Sequence, residues 1–292
     1  MILENALNEF LINQEIKGNS KRTLEYYSLN LSYLLAFLGN DKLIDDITLI
    51  DLNNYYLHLK KRNISSVTLQ TYIRAVRTFL NWCYDEEYIS VKLPDRFKLP
   101  KAEKKVIDVL TNYEIEILFS NFDIRKYIQL RNWCICALML DCGLRKNEVV
   151  TMTLNRYRGN DGYVIVQGKG NCQRVVPLGL KTRKSLSKYV ALRPCLETDS
   201  FFLNADYSPI TQNAIKQLFT RLKAETGIKR IHPHLLRHTF ATMFIENGGD
   251  VFTLQQLLGH STLDMSRKYL HLGVRNSIDK YRAFSPLDNM KR

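Results

Sequence analysis

A chain of 292 residues, 45% hydrophobic and 24% charged, can bury the cores of two domains and is not a disordered polymer. Lys and Arg number 42 against 29 Asp and Glu, and the excess is uneven: 15 against 13 over residues 1–105, then 27 against 16 over residues 106–292, which suits the second part to a polyanionic partner. The six cysteines form no CxxC pair, the N-terminus lacks a leader pattern, and the longest apolar run, around residues 133–140, is too short to span a bilayer; a soluble cytoplasmic protein with reduced thiols is expected, not a secreted, zinc-ribbon or membrane protein.

Residues 1–89 read as a helical domain. Leu3, Leu7, Phe10 and Leu11 recur at helical spacing, and residues 23–38 carry Leu24, Tyr27, Leu31, Leu34, Leu35 and Leu38. Thr48 can cap a helix running to about Lys61, and Ser66 can cap another over 67–86, striped by Ile73, Val76, Phe79, Leu80 and Cys83. The crowded tyrosines (Tyr26, Tyr27, Tyr33, Tyr55, Tyr56, Tyr72 and Tyr84) read as core and partly exposed helix surface. Lys21, Arg22, Lys60 to Arg62, Arg74 and Arg77 are spaced to meet DNA phosphates, although each taken singly reads as a solvated charge. Residues 90–106 hold Pro94 and Pro100, show no sustained period and read as a linker.

The second domain is expected over 107–274. Thr111 and Glu114 have capping-box spacing ahead of Ile115, Leu118 and Phe119. Residues 125–142 predict a core helix that Gly143 stops. A short helix follows Arg145. Residues 163–167 and 174–177 predict a β-hairpin with Lys169 at its glycine-rich tip. Helices are expected over 181–192, from Thr211 to about Glu225, and over 234–247, 251–258 and 262–270, with a short strand at 201–203. The fold class is therefore mainly α with a small β-sheet. Residues 275–292 form a tail with an apolar stripe of Ile278, Tyr281, Phe284 and Leu287.

Six polar residues fall where secondary structure turns over. Arg145 follows the helix-ending glycine, Lys169 sits at the hairpin tip, His234 and Arg237 lie one turn apart after Pro233, His260 follows Gly259, and Tyr269 comes nine residues later. Two arginines can bracket a phosphate with fork-shaped donor sets, stabilising charge that grows as phosphorus is attacked. A tyrosine oxygen can attack phosphorus if neighbours offset its pKa of about 10, and a lysine can protonate the leaving oxygen. No carboxylate cluster for Mg²⁺ accompanies the set, so no metal or other cofactor is expected. Each residue alone has an ordinary structural reading: a surface arginine, an exposed lysine, a satisfied histidine, a core tyrosine. Their ordered conjunction carries the inference.

The ordered motifs GLRKNE, QGKGNCQRVVPL, HPHLLRHTFAT and LLGH, followed by Tyr269, resemble the tyrosine recombinase family of phage-integrase and Xer type. The resemblance covers essentially the whole chain and implies an N-terminal four-helix SAM-like core-binding domain followed by a catalytic domain. It implies that Arg145 and Arg237 bind the scissile phosphate, Lys169 is the general acid, His234 moves the proton of the nucleophile, His260 hydrogen-bonds the phosphate and Tyr269 attacks. Duplex DNA carrying a specific site would be the substrate, and four protomers would exchange strands through a Holliday junction, with accessory DNA-bending proteins as possible partners and the nucleoid as the workplace. The segment 275–292 would pack into a neighbouring protomer.

Two departures from the family pattern matter. Asn147 stands where serine is common, and its amide can still hydrogen-bond. The core-binding helices begin almost at Met1, which leaves no room for an arm-binding domain and favours a simple-site enzyme. Two other functions use overlapping residues: a type IB topoisomerase, and a DNA-binding protein without catalysis.

Overall fold

Helix caps set the boundaries of the first unit. Ser20 accepts the backbone N–H of Thr23, so α2 (Lys21–Leu38) starts two residues before the expected position. Ser65, not Ser66, caps α4 (Ser66–Asp85) by accepting from Thr68. Thr48 and Asp51 form a full capping box at α3 (Leu49–Lys61). With α1 (Leu3–Ile16) these helices enclose a core of Phe10, Leu31, Leu34, Leu52, Tyr55, Leu59, Ile73 and Phe79. Phe10 meets Tyr27 and Phe79 edge-on at centroid distances of 5.1 and 5.5 Å. Tyr55 is fully buried and Tyr84 is exposed, so the tyrosines divide between core and surface.

The chain, seen here in a computed structural model that describes residues 1–99, 108–168 and 173–259, divides into two compact units, Met1–Lys105 and Val106–Arg292. The expected linker begins inside the first of them. Leu93–Arg96 forms a one-turn helix, α5, with Pro94 in its first turn, and Leu93 and Phe97 are buried in the first unit's core. Four residues are too few to show a helical period, which is why the stretch reads as linker in sequence.

The second unit is built around α7 (Tyr127–Leu140), nine of whose 14 residues are buried. It starts two residues later than expected because Asp123 turns the chain, accepting from the Arg125 backbone at 3.2 Å. α7 packs against α9 (Leu180–Leu192) and α11 (Pro233–Glu246). Ahead of it, α6 (Asn112–Ser120) carries the Thr111–Glu114 capping box, and Arg230 grips Glu114 with both terminal nitrogens.

After α7 come α8 (Lys146–Val150) and the strands β1 (Tyr157–Arg158), β2 (Tyr163–Gln167) and β3 (Gln173–Pro177), an antiparallel sheet in that order. The two-residue β1 has no sequence signature. Val164 pairs with Val176 and Val166 with Arg174, which places Val164, Val166 and Val176 on the buried face and Arg174 with them. Residues 201–203 are fully buried but form no strand; Thr153 bridges Ser200 and Leu203 bridges Pro209 in isolation. Their apolarity serves a buried loop, whose Leu203 N–H is taken by the Tyr189 hydroxyl at 3.1 Å. α10 (Gln212–Thr226) and α12 (Val251–Leu258) complete the described elements. The helix expected at 262–270 and the tail 275–292 lie outside the described residues.

Candidate active site

Two glycines shape the floor of the site. Gly143 ends α7 in a left-handed conformation, φ +64°, and a Cβ there would come within 2.5 Å of Phe240 and 2.7 Å of Leu258. Gly259 ends α12 the same way, φ +60°. These turns bring the carbonyls of Gly143, Leu258 and Gly259 together, and the arginines use them. Arg237, on α11 and only 6% exposed, donates Nη1 to Gly143 O at 2.5 Å and Nη2 to Leu258 O at 2.7 Å. Arg145 donates Nη2 to Gly259 O at 3.2 Å and Nη1 to Glu148 Oε1 at 2.9 Å. Both expected phosphate ligands are therefore anchored on one seat, the C-terminal end of α12.

His234 stands on the first turn of α11, where Pro233 is preset for helix. Its ring is exposed at the surface, yet partial loss of solvent lowers its pKa below the ordinary value, and the charges of His232, Arg237, Lys146 and Arg145 lower it further. The lowered pKa favours the neutral ring, the form able to accept a proton. Lys169, His260 and Tyr269 lie outside the described residues. Gly259, the residue before His260, is in the cluster, and in sequence Lys169 lies between β2 and β3. Asn147 accepts from Gln212 at 2.8 Å, so the amide is used as a hydrogen-bonding group.

Three contributors were not singled out in the sequence. Glu148, 3% exposed, accepts the Arg145 backbone N–H on Oε2 at 2.7 Å and so starts α8. Arg174 donates to both Glu148 oxygens, at 2.6 and 2.8 Å, and through Nε to Leu257 O at 2.7 Å. Burial alone would raise the pKa of Glu148; hydrogen bonds and charge from Arg174, then the Arg145 backbone and charge, outweigh it and hold the carboxyl below its usual range. His232 is the N-cap of α11, its Nδ1 accepting from Leu235 N at 3.1 Å. The signals were present: a glutamate three residues after Arg145, and an arginine in phase with the inward-facing Val176. Among the described residues no group of three or more His, Cys, Asp or Glu could hold a metal ion, and no helix is long and apolar enough to cross a membrane.

A conserved-family profile described as phage integrase family matches residues 108–275, which contain this whole arrangement and Tyr269. The chain belongs to the phage integrase family. A second profile, the N-terminal SAM-like domain of phage integrases, matches residues 6–90. Among relatives, a tyrosine recombinase XerD of Oceanobacillus iheyensis is 28% identical over 98% of this chain and 99% of its own length. A tyrosine recombinase XerD of Staphylococcus epidermidis is 31% identical over 98% of each. In fold, the chain is similar to the Tn1549 transposon integrase solved in complex with transposon right end DNA, with a TM-score of 0.79 at 18% identity, covering 96% of this chain and 99% of that one. As a member of this family the chain is a tyrosine recombinase, with a SAM-like helical unit ahead of a catalytic unit that is mostly helical around a small sheet.

Proposed function

We propose that the protein is a site-specific DNA recombinase whose nucleophile is Tyr269. The observation that carries this is the shared seat of Arg145 and Arg237. Two guanidiniums from different elements converge on the end of α12, immediately before His260. Cations fixed before reaction stabilise the charge that develops on phosphorus without reorganising. Tyr269 Oη attacks the scissile phosphorus, and the phosphorus–O5′ bond breaks. A 3′-phosphotyrosyl bond forms, and the departing O5′ takes its proton from Lys169. Neutral His234 accepts the tyrosine proton, and His260 hydrogen-bonds the phosphate. Attack by a 5′ hydroxyl from another duplex reverses the step and joins the new strands. Phosphodiester energy is kept in the enzyme bond, so no nucleotide is consumed.

The partner is duplex DNA with a specific site, bound by the basic residues of both units; the exposed Lys21, Arg22, Lys60, Lys61, Arg62 and Arg74 are available for phosphates. Four protomers assemble on two sites in the cytoplasm, on the nucleoid, and DNA-bending proteins assist where a site requires it. The tail 275–292 joins neighbours. Two apolar pockets on the catalytic unit that share Ile115 and Leu140, one lined also by Phe119 and Trp133 and the other by Phe240 and Phe244, support this, because they suit a stripe such as Ile278, Tyr281, Phe284 and Leu287. The experiment is a supercoiled plasmid carrying two copies of the site. Site-dependent deletion or inversion by the wild type, lost in Tyr269→Phe, is the expected result. Relaxation of any plasmid, with or without the site, would instead identify a type IB topoisomerase.

A further inference from the structure

Glu148 poses a problem for an anion-binding site. It is a buried carboxylate in contact with the arginine expected to hold the phosphate, and its two oxygens accept four hydrogen bonds. Paired with Arg145 alone, it would cancel the charge that a phosphate requires. Arg174 changes the balance. It meets the carboxylate with a two-pronged fork, the geometry in which guanidinium and carboxylate pair most strongly. Its side chain is 12% exposed against 31% for Arg145, and its Nε is held by Leu257 O. Arg174 is the enclosed counter-ion; Arg145 is the exposed partner.

We propose that Arg174 is a positioning residue for strand cleavage: it neutralises Glu148, so that Glu148 orients Arg145 while Arg145 keeps its positive charge for the scissile phosphate. Arg174 itself touches no DNA. The same contacts tie β3, α8 and the end of α12 into one block, so the orientation of Arg145 and of the Leu257–Gly259 carbonyls is set together. The proposal deepens the recombinase reading and rests on it.

The test compares full-length wild type, Arg174→Ala, Arg174→Lys and the double variant Arg174→Ala with Glu148→Gln. The probe is a nicked duplex selected by the wild-type protein from random-sequence DNA. Two quantities are read: affinity for the intact duplex, and the single-turnover cleavage rate at saturating protein, with thermal melting as the control for folding. Arg174→Ala should bind about as tightly as wild type but cut roughly 10- to 100-fold more slowly, the range seen when a residue that orients a metal ligand is removed. The double variant should recover part of that rate, because the uncompensated carboxylate is gone. Arg174→Lys, which keeps the charge but not the fork, should fall between wild type and Arg174→Ala.

A wild-type rate in bound Arg174→Ala would overturn the proposal. So would loss of affinity in step with loss of rate, which would make Arg174 a phosphate ligand. A double variant no faster than Arg174→Ala would reduce Arg174 to a strut. If Arg174→Ala does not fold, Arg174→Gln takes its place with the same outcomes. Failure of the wild type to cut at all would instead overturn the recombinase reading beneath it.

Discussion

Among single residues, Arg145 and Arg174 flank the Glu148 carboxylate, while Arg237 is held on backbone carbonyls at the same end of α12. Arg237 illustrates why burial matters. Its guanidinium is nearly enclosed and held on two carbonyls, so it is in place before DNA arrives. Arg145→Ala and Arg237→Ala are each expected to retain DNA binding and to lower the rate of cleavage by on the order of 10²- to 10³-fold, as loss of one preorganised donor does elsewhere. Gel-shift affinity beside single-turnover cleavage checks this; a variant that loses binding while cutting normally once bound would contradict the phosphate-clamp role. Arg145, His234 and Arg237 could be singled out as candidates in the sequence because their motifs keep fixed spacing across turns. Arg174 and Glu148 left only weak local signals, a glutamate three residues after Arg145 and an arginine in phase with Val176, and neither signal tells that the two meet across 26 residues.

At the scale of elements, α11 is the helix on which the chemistry depends, and its N-terminus is capped by a titratable group. His232 accepts from Leu235 through Nδ1, so protonation at that nitrogen removes the cap. Its pKa is lowered from the ordinary 6.5 by burial first and by Lys223 next, against a smaller opposing pull from Asp108. A folded pKa below the unfolded value means that the unfolded chain binds the proton more readily. Stability should therefore be unaffected well above pH 6.5 and should fall as pH drops below it, with His234 adding in the same sense. Melting temperature measured across pH 5 to 8 checks this, with His232→Asn as comparison. Asparagine caps without titrating, so that variant should lose part of the acid-side decline; an unchanged pH profile would remove His232 from the account.

Elements also show where sequence reading stopped. Stripes long enough to repeat, as in α4 and α7, announce themselves, while the one-turn α5 and the two-residue β1 do not. The apolar run 201–203 is buried as a loop because its N–H groups find a tyrosine hydroxyl and isolated bridges rather than a ladder.

For the whole molecule, the two units with unequal charge are proposed to bind one DNA, and the assembly to depend on the tail. Deleting residues 277–292 should weaken the formation of complexes with four protomers and two sites while leaving binding to a single site nearly unchanged. Native gels with one- and two-site duplexes distinguish the two; an undiminished yield of synaptic complex would show that the tail folds back on its own protomer instead. The family was readable from motif order and the first helical unit from its apolar spacing, whereas the convergence of Arg145 and Arg237 on the end of α12 needed the turns at Gly143 and Gly259 to be seen in space.

The cation cluster is proposed to serve a tyrosine nucleophile, Tyr269. A duplex carrying the recombination site, nicked beside the cleavage point so that the short 5′-hydroxyl fragment diffuses away, traps any covalent intermediate. A protein–DNA adduct through the 3′ phosphate is expected, mapping to Tyr269 by peptide mass spectrometry and absent in Tyr269→Phe. An adduct through the 5′ phosphate, an adduct on another residue, or none on a duplex that the protein binds specifically would contradict it.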